Sequence, residues 1–425
     1  MKSTTINIIR SLLVSATFGL TASAAEIDST RNVISIAAGV NEGYVLPHNE
    51  QVRQLLSAGK RATVAHIGCQ WQARTQYATA ADLSLGLPKF EGGILVTDFT
   101  KAPLHRTEGK YLFPNPSSIG QMIVPYGSFY RPLLRSRRAE FGYRIEQGLG
   151  ICTRPYDKHT NPENELVGGR FSIHVGLGLE SEFRITPEWS LGITANFHHY
   201  SNGRMDEPNI GVNVFDAGIR AVYTLNPDTC HLSSHRVRQL YRAQSRQHKK
   251  HLYLDINASL IPRVLLCEWN YQWFHAPVTD PRYRTGHFSY HNSAAIDAAL
   301  MFSYSPKFSS GIGLEYIYAP IGDDILHWET LKGNKNITLQ SPHGVSAVIH
   351  HETRYKNLAA HLTFGLYILH EPRFPYDTDL PFYDTAGVRY YLPFGNRSTY
   401  ISYNIRAHGL TADAFQFGLG YSFCR

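Results

Sequence analysis

The sequence is poor in cysteine, and the few cysteines it has form no recognisable site. Its 425 residues include five of them, at Cys69, Cys152, Cys230, Cys267 and Cys424. This odd and scattered set predicts no disulfide framework, and neither the cysteines nor the histidines show the paired spacing of a zinc site. A glycine-rich phosphate loop between a strand and a helix is also missing. We therefore expect no cofactor and no metal.

Long hydrophobic runs are missing after the first 25 residues. No later stretch approaches the roughly 18–20 apolar residues that a membrane-spanning helix needs. In residues 1–25, Lys2 and Arg10 flank a polar start, an apolar stretch follows at 11–22, and small residues continue to Ala25. This order is typical of a secretory signal peptide cleaved after Ala24 or Ala25, with an ordinary buried helix as the alternative. We expect an exported mature chain that is either soluble or a β-barrel.

Charge is modest, since 18% of the residues are charged and 43% are apolar. These fractions exclude an intrinsically disordered chain, and the length allows two or three ordinary domains or one large β structure. The net charge of +7 indicates acidic surroundings such as phosphate-bearing lipid or nucleic acid, without deciding between them.

What the sequence does contain is a hydrophobic pattern with a period of two. Between residues 170 and 185, apolar side chains occupy one parity, and polar residues or glycines occupy the other. Because side chains alternate faces along a strand, this stretch predicts one long strand with an apolar face and a polar face. Strands of soluble sheets average about 5–6 residues, whereas a tilted strand that crosses a bilayer needs about 9–11. The same alternation recurs at 139–151, 358–368, 399–407 and 415–423.

Charged residues on the polar face of such long strands favour a membrane barrel, in which a closed sheet pairs every backbone group. We predict an all-β fold for residues 26–425, an antiparallel transmembrane β-barrel of about 14–16 strands, with 16 favoured. A large soluble β-sandwich or propeller is the alternative, but it does not explain Arg, Glu and His along one face of long strands.

Counting strands back from the C-terminus assigns each connection to one side of the membrane. The last strand ends near Phe423 on the periplasmic side, and the periplasmic connections are then short, at 393–397, 355–357, 305–308 and 185–188. The external connections are mostly long, at 371–383, 320–342, 263–289, 202–211 and 153–169. This contrast is typical of outer-membrane barrels. The exception is the basic, periplasmic connection at 226–250, which we interpret as a polar helix or insertion rather than a nucleic-acid site.

The candidate chemistry lies at one external hairpin. His199 and Ser201 are two residues apart on a strand, so they share its apolar, lipid-facing parity and their side chains can meet. Asn213 shares that face on the next strand and can neighbour His199. An imidazole beside a hydroxyl is the minimum for a nucleophile that attacks an ester, and a third group orients the ring. The amides of Asn202 and Asn209 are suitable donors to a developing oxyanion.

Longer motifs around this hairpin resemble those of a known family. Residues 199–203 (His-Tyr-Ser-Asn-Gly) and 208–213 (Pro-Asn-Ile-Gly-Val-Asn) resemble the His-x-Ser-Asn and Pro-Asn-x-Gly signature of the PagL-type lipid A deacylases, also called acyloxyacyl hydrolases. Residues 148–150 (Gly-Leu-Gly), 153–157 (Thr-Arg-Pro-Tyr-Asp) and 161–164 (Asn-Pro-Glu-Asn) resemble the segment before that signature. The resemblance is specific over residues 139–225 and looser towards the C-terminus, as in longer members with extra strands.

The resemblance implies an outer-membrane hydrolase that removes the ester-linked acyl chain at position 3 of lipid A. Ser201 would then be the nucleophile and His199 the general base, with Asn202 and Asn209 near the oxyanion. The implied partners are lipid A or lipopolysaccharide as substrate and the outer membrane itself. No nucleic acid is expected, and a homodimer is left open.

One position departs from the family pattern. Some members have an acidic residue near the position of Asn213, whereas an amide can orient the imidazole but cannot stabilise its cation by charge, so we expect a lower rate. Asp206 or Glu207 in the loop is an alternative orienting group. Asp216 is near in sequence, but its parity predicts a place inside the barrel, beside Arg220, in a structural ion pair.

A second hypothesis is a non-catalytic barrel, either a pore or a structural protein derived from such an enzyme. The missing acid and the strand count motivate it, because about 16 strands could enclose an aqueous lumen, whereas eight are filled by their own side chains. Charged residues on the inward parity could line a channel or brace the wall, and we expect bracing. They are Arg144, Glu146, Arg170, His174, Glu180, Glu182 and Arg184.

Overall fold

The computed structural model describes most of the chain after the predicted signal segment. The described residues are 29–56, 59–106, 113–228, 230, 232–245, 248–335, 337, 339, 341–369, 380–393, 398–408 and 411–423. The predicted signal peptide at 1–25 and Cys424 lie outside them.

Sixteen strands form within the described residues, and within each set of eight every strand pairs antiparallel with the next one in sequence. The first eight are β1 (Asn32–Val45), β2 (Arg61–Ala73), β3 (Lys89–Asp98), β4 (Gln121–Arg135), β5 (Ala139–Cys152), β6 (Phe171–Arg184), β7 (Trp189–Ser201) and β8 (Val212–Thr224). The second eight are β9 (His251–Arg263), β10 (His291–Ser305), β11 (Phe308–Tyr318), β12 (His343–Tyr355), β13 (Leu358–Leu369), β14 (Phe382–Tyr391), β15 (Thr399–His408) and β16 (Thr411–Phe423).

The predicted antiparallel all-β barrel fold with 16 strands is confirmed, and the strands close as two barrels rather than one. β1 pairs with β8, which closes the first barrel, and β9 pairs with β16, which closes the second. The alternation of apolar and polar residues is the same for either arrangement. Closure depends instead on which two edge strands meet, and strand counting does not contain that information.

The chain accordingly divides into two compact units. The first contains residues 1–202 and 210–244, and the second contains 203–209 and 245–425. Each unit holds one barrel, and the tip of the β7–β8 hairpin, Gly203–Asn209, is counted with the second.

In the first barrel, apolar side chains point outward and polar ones fill the interior. On β6, Leu177 and Leu179 are 53% and 52% exposed, whereas His174 and Glu180 are 0% and 2% exposed. Most of the predicted inward residues follow this rule, but Arg170 is an exception because it precedes β6 and is exposed.

Ion pairs and hydrogen bonds brace the interiors of both barrels. In the first barrel the buried pairs are Arg144–Glu180, Arg220–Glu91, Lys89–Glu182 and Lys89–Glu140. In the second they are Arg389–Asp255, Arg406–Glu315 and Tyr383–Glu315. The interior of an eight-stranded barrel is filled by its own side chains. Two such barrels therefore do not provide the wide aqueous lumen that a single 16-stranded barrel would.

Short helices occupy several connections. They are α1 (Glu50–Leu55), α2 (Ala80–Ser84), α3 (Ser234–Ser245), α4 (Leu266–Asn270) and α5 (Gly322–Leu331), with a 3₁₀ turn at Thr75–Tyr77 and a π turn at Tyr271–His275. No helix within the described ranges is both long and apolar enough to cross a membrane. The basic connection at 226–250, interpreted from the sequence as a polar helix or insertion, contains α3. Val237 of α3 packs on Leu83 and Leu87 of the β2–β3 connection.

Candidate active site at the β7–β8 hairpin

The register of β7 and β8 places His199 directly opposite Asn213. Both residues lie on the outward parity, which further along the strands carries Ile193 and Ile219, 61% and 66% exposed. His199 Nδ1 lies 2.6 Å from Asn213 Oδ1. Because a carbonyl oxygen can only accept, this contact assigns the proton to Nδ1 and leaves a lone pair on Nε2. His199 is thereby held in the tautomer that a general base requires.

Ser201 follows on the same parity of β7, and it is 8% exposed. Gly211 shows where its side chain lies relative to the imidazole. A Cβ built on Gly211 would be 3.3 Å from His199 Cε1 and 3.7 Å from Ser201 Cβ. The imidazole and the carbon that carries the hydroxyl therefore flank the same small space.

Gly211 is suited to this place for two reasons. Its φ of +83° lies in the left-handed region, which side chains other than glycine rarely adopt. In addition, any larger residue would place a Cβ against the His199 ring at 3.3 Å. The Pro-Asn-Ile-Gly motif thus ends the loop in a conformation that leaves space beside the imidazole.

The loop before β6 supports the Gly211 side of this hairpin. The carbonyl oxygens of Glu165 and Leu166 accept hydrogen bonds from the backbone N–H groups of Ile210 (3.2 Å) and Gly211 (3.0 Å). Glu165 is in turn held by Arg106, whose two terminal nitrogens lie 2.7 and 2.8 Å from its carboxylate oxygens. Sequence reasoning missed this support, because nothing in the local pattern pairs Arg106 with Glu165.

Asn161 organises the same loop. Its side-chain amide donates to the carbonyls of Ser118, Arg154 and Pro155, at 2.9, 2.8 and 2.9 Å. Its Oδ1 accepts from the Ser118 N–H at 2.9 Å. The Asn-Pro-Glu-Asn motif, which the sequence offered only as a resemblance, is therefore a structural element behind the candidate site.

Two family models match separate parts of the chain. Residues 96–221 match the lipid A 3-O-deacylase (PagL) model, and residues 273–425 match the acyloxyacyl hydrolase C-terminal domain model. The chain belongs to the PagL-type lipid A deacylase family. The resemblance read from the sequence is thus confirmed, and so are the outer membrane as its location and hydrolase as its class.

Solved structures with similarity to the chain are outer-membrane channels and porins. A deltaS2 mutant of the TodX monoaromatic hydrocarbon channel is 10% identical, with 92% of this chain and 89% of that chain covered and a TM-score of 0.17. OccAB1 of Acinetobacter baumannii is 10% identical, with 92% and 95% covered and a TM-score of 0.21. These likenesses are too weak to bear on the activity. No curated protein matches the chain.

The remaining candidate residues are two amides of the signature, Asn202 and Asn209, and two acids of the intervening loop, Asp206 and Glu207. Asn202 directly follows Ser201 and is 4% exposed. Asn209 belongs to the second unit, where its backbone N–H donates to Glu207 at 2.8 Å. Burial raises the pKa of Asp206 to about 6 and that of Glu207 to about 7.

Asp216 lies inside the first barrel, as its parity predicted, but its partners are not the expected ones. Its Oδ2 lies 2.9 Å from His198 Nε2, and its Oδ1 accepts from the amides of Asn41 (2.6 Å) and Asn196 (2.8 Å). The expected neighbour Arg220 pairs instead with Glu91. The prediction was wrong about the partner because parity fixes the face of a strand but not which residues meet across the lumen.

Only one group of side chains in the described part of the chain could hold a metal ion: Glu146, His174 and His198. All three are buried inside the first barrel, on the face of the wall opposite to His199. The candidate esterase site itself needs no metal, since proton transfer by an imidazole activates a serine.

Proposed function

We propose that the protein is a serine esterase that hydrolyses the ester-linked acyl chain at position 3 of lipid A. Ser201 is the nucleophile, His199 the general base, and Asn213 the group that orients the imidazole. Family membership supports the substrate class. The contact between His199 Nδ1 and Asn213 Oδ1 at 2.6 Å is the observation that carries the assignment of residues.

The chemistry follows the usual course of acyl transfer to serine. His199 Nε2 takes the proton of Ser201 Oγ while Oγ attacks the ester carbonyl, and the carbonyl oxygen becomes an oxyanion. Asn202 is the proposed donor to that oxyanion. The imidazolium then returns the proton to the departing sugar oxygen, and water hydrolyses the acyl-enzyme in the same manner.

The outward position of the pair suits a lipid substrate. Apolar residues cover the same face of β7 further along the strand, so an acyl chain can lie against the wall while its ester group reaches the hairpin. Such a substrate need not enter the barrel, whose interior is occupied by braced polar side chains. The alternative of a pore is not favoured for the same reason.

The test compares Ser201→Ala with Ser190→Ala in detergent-solubilised protein supplied with lipid A. Ser190 lies on the same strand but on the inward face, 5% exposed, and is the matched control. We expect Ser201→Ala to lower release of 3-hydroxy fatty acid by on the order of 10³-fold or more, since loss of a nucleophile removes the covalent step. Mass spectrometry measures the released acid.

Ser190→Ala should keep wild-type turnover. Equal release by wild type and Ser201→Ala would contradict the assignment of the nucleophile. If the wild-type protein released no fatty acid at all, the deacylase activity itself would be refuted.

A further inference from the structure

Three metal-ligating side chains meet inside the first barrel, on neighbouring strands. Glu146 of β5, His174 of β6 and His198 of β7 are 9%, 0% and 2% exposed. One donor atom from each lies within 4.8 Å of the other two. His174 Nε2 is 2.9 Å from His198 Nδ1, and Glu146 Oε2 is 4.0 Å from that same nitrogen. The donors therefore converge on one small volume.

Gly176 keeps that volume open. It is the residue of β6 that lies between Glu146 on one neighbouring strand and His198 on the other. A Cβ built on Gly176 would be 3.0 Å from Glu146 Oε2 and 3.3 Å from His174 Cε1. A side chain here would occupy the space between the donors, and glycine leaves it free.

A second carboxylate stands behind His198. Asp216 Oδ2 lies 2.9 Å from His198 Nε2, the ring nitrogen that does not face the cluster. The negative charge of this carboxylate favours a proton on Nε2 and so leaves the lone pair on Nδ1, which is the tautomer that points a ligand atom at the cluster. Metal-binding histidines almost always show such a partner on their other nitrogen.

The charge of Glu146 is also unusual for this interior. Glu91, Glu140, Glu180 and Glu182 each have an arginine or lysine within 3.4 Å. Glu146 has no such partner in the described part of the chain, and its one ion-pair contact is His198 at 4.0 Å. Burial of a carboxylate without an arginine or lysine in direct contact is costly, so a cation beside it would be stabilising.

We propose that Glu146, His174 and His198 bind one Zn²⁺ ion inside the first barrel. Two imidazoles and one carboxylate are a preferred donor set for zinc. The two negative charges of Glu146 and Asp216 would balance the two positive charges of the ion. On tetrahedral zinc the two nitrogens would be roughly 3.3 Å apart, close to the 2.9 Å of the metal-free contact. The ion ties β5, β6 and β7 together behind His199, and its role is structural.

The competing arrangement needs no metal. His174 Nε2–H then donates one hydrogen bond to His198 Nδ1, and the cluster is a polar network like others in the wall. The second barrel offers such a network for comparison. There His350 stacks on His361 at 5.1 Å and lies 3.1 Å from Asp297, but within the described residues these three side chains do not bring one donor atom each to within 4.8 Å of the others.

The experiment measures zinc retention by the full-length protein without a histidine tag. Protein in detergent is loaded with Zn²⁺, dialysed against a competing chelator, and analysed for metal by mass spectrometry. We expect one zinc per wild-type chain, loss of that zinc in Glu146→Gln and His174→Gln, and full retention in the control His361→Gln. Thermal unfolding gives a second readout, because a ligand that binds only the folded state raises the Tm.

If His174→Gln does not fold, Co²⁺ in place of zinc gives a spectroscopic test that needs only the wild type and Glu146→Gln. Wild-type protein loaded with Co²⁺ should show the visible absorption of a four-coordinate ion, and Glu146→Gln should not. The proposal is overturned if wild-type protein retains no zinc against the chelator. It is equally overturned if both variants retain as much as the wild type. None of these measurements depends on deacylase activity.

Discussion

Among single residues, Asn213 is the one that, in the proposed mechanism, sets how well His199 acts as a base. An amide oxygen holds Nδ1–H at 2.6 Å and so fixes the orientation and tautomer of the ring. It carries no charge, and so it stabilises the imidazolium less than a carboxylate would. An acid in a catalytic triad both orients the imidazole and stabilises its positive charge, whereas the amide of Asn213 can only orient it.

Substitutions at Asn213 measure these contributions. We expect Asn213→Ala to lower kcat on lipid A by on the order of 10²-fold, since the base loses its orientation. Asn213→Glu should raise the rate above that of Asn213→Ala by restoring an acceptor with charge. Fatty-acid release under substrate saturation is the measurement. If neither substitution changes turnover, another residue orients the imidazole.

At the scale of elements, the β5–β6 loop supports the hairpin that carries the site. Its carbonyls at Glu165 and Leu166 bind the backbone before β8, and Arg106 anchors Glu165 through two contacts. The Glu165 side chain is 1% exposed and that of Arg106 13%, so the carboxylate is the buried end of the pair. Removing one partner of a buried ion pair typically costs about 3–5 kcal/mol, because the remaining charge has no compensation.

Arg106→Met should therefore lower the activity, although Arg106 is not one of the proposed catalytic residues. We expect kcat to fall by about 10- to 100-fold, since displacement of Gly211 alters the space beside His199 and Ser201. Protease sensitivity of the 202–211 loop should rise in parallel. The control is Arg282→Met in the second unit, where the Arg282–Asp280 pair is partly exposed and turnover should be unchanged. Wild-type activity in Arg106→Met would show that the loop does not position the hairpin.

At the scale of the whole molecule, two barrels of eight strands predict a protein that does not conduct. The interior of each is crossed by buried pairs such as Arg144–Glu180 and Arg389–Asp255, with N···O distances of 2.5 and 2.8 Å. Ion flow would require these pairs to separate inside the wall, where an uncompensated charge is unfavourable.

Planar bilayer recordings test this expectation. Purified protein should give no stable channel under conditions in which a general porin, as positive control, conducts in steps. A long-lived open conductance state that depends on the protein would contradict a filled interior and would favour the pore hypothesis.

The period-two pattern was enough to predict long antiparallel strands, the face on which most of their residues lie, and the common face of His199, Ser201 and Asn213 on one hairpin. These properties are local, because side chains alternate along a strand and a hairpin fixes its own register. Other features became known only from the folded chain: β1 pairs with β8 and β9 with β16, Asp216 lies beside His198, and Arg106 binds Glu165. These contacts join residues far apart in sequence, and their partners are set by strand closure and by packing across the lumen, which no local pattern encodes.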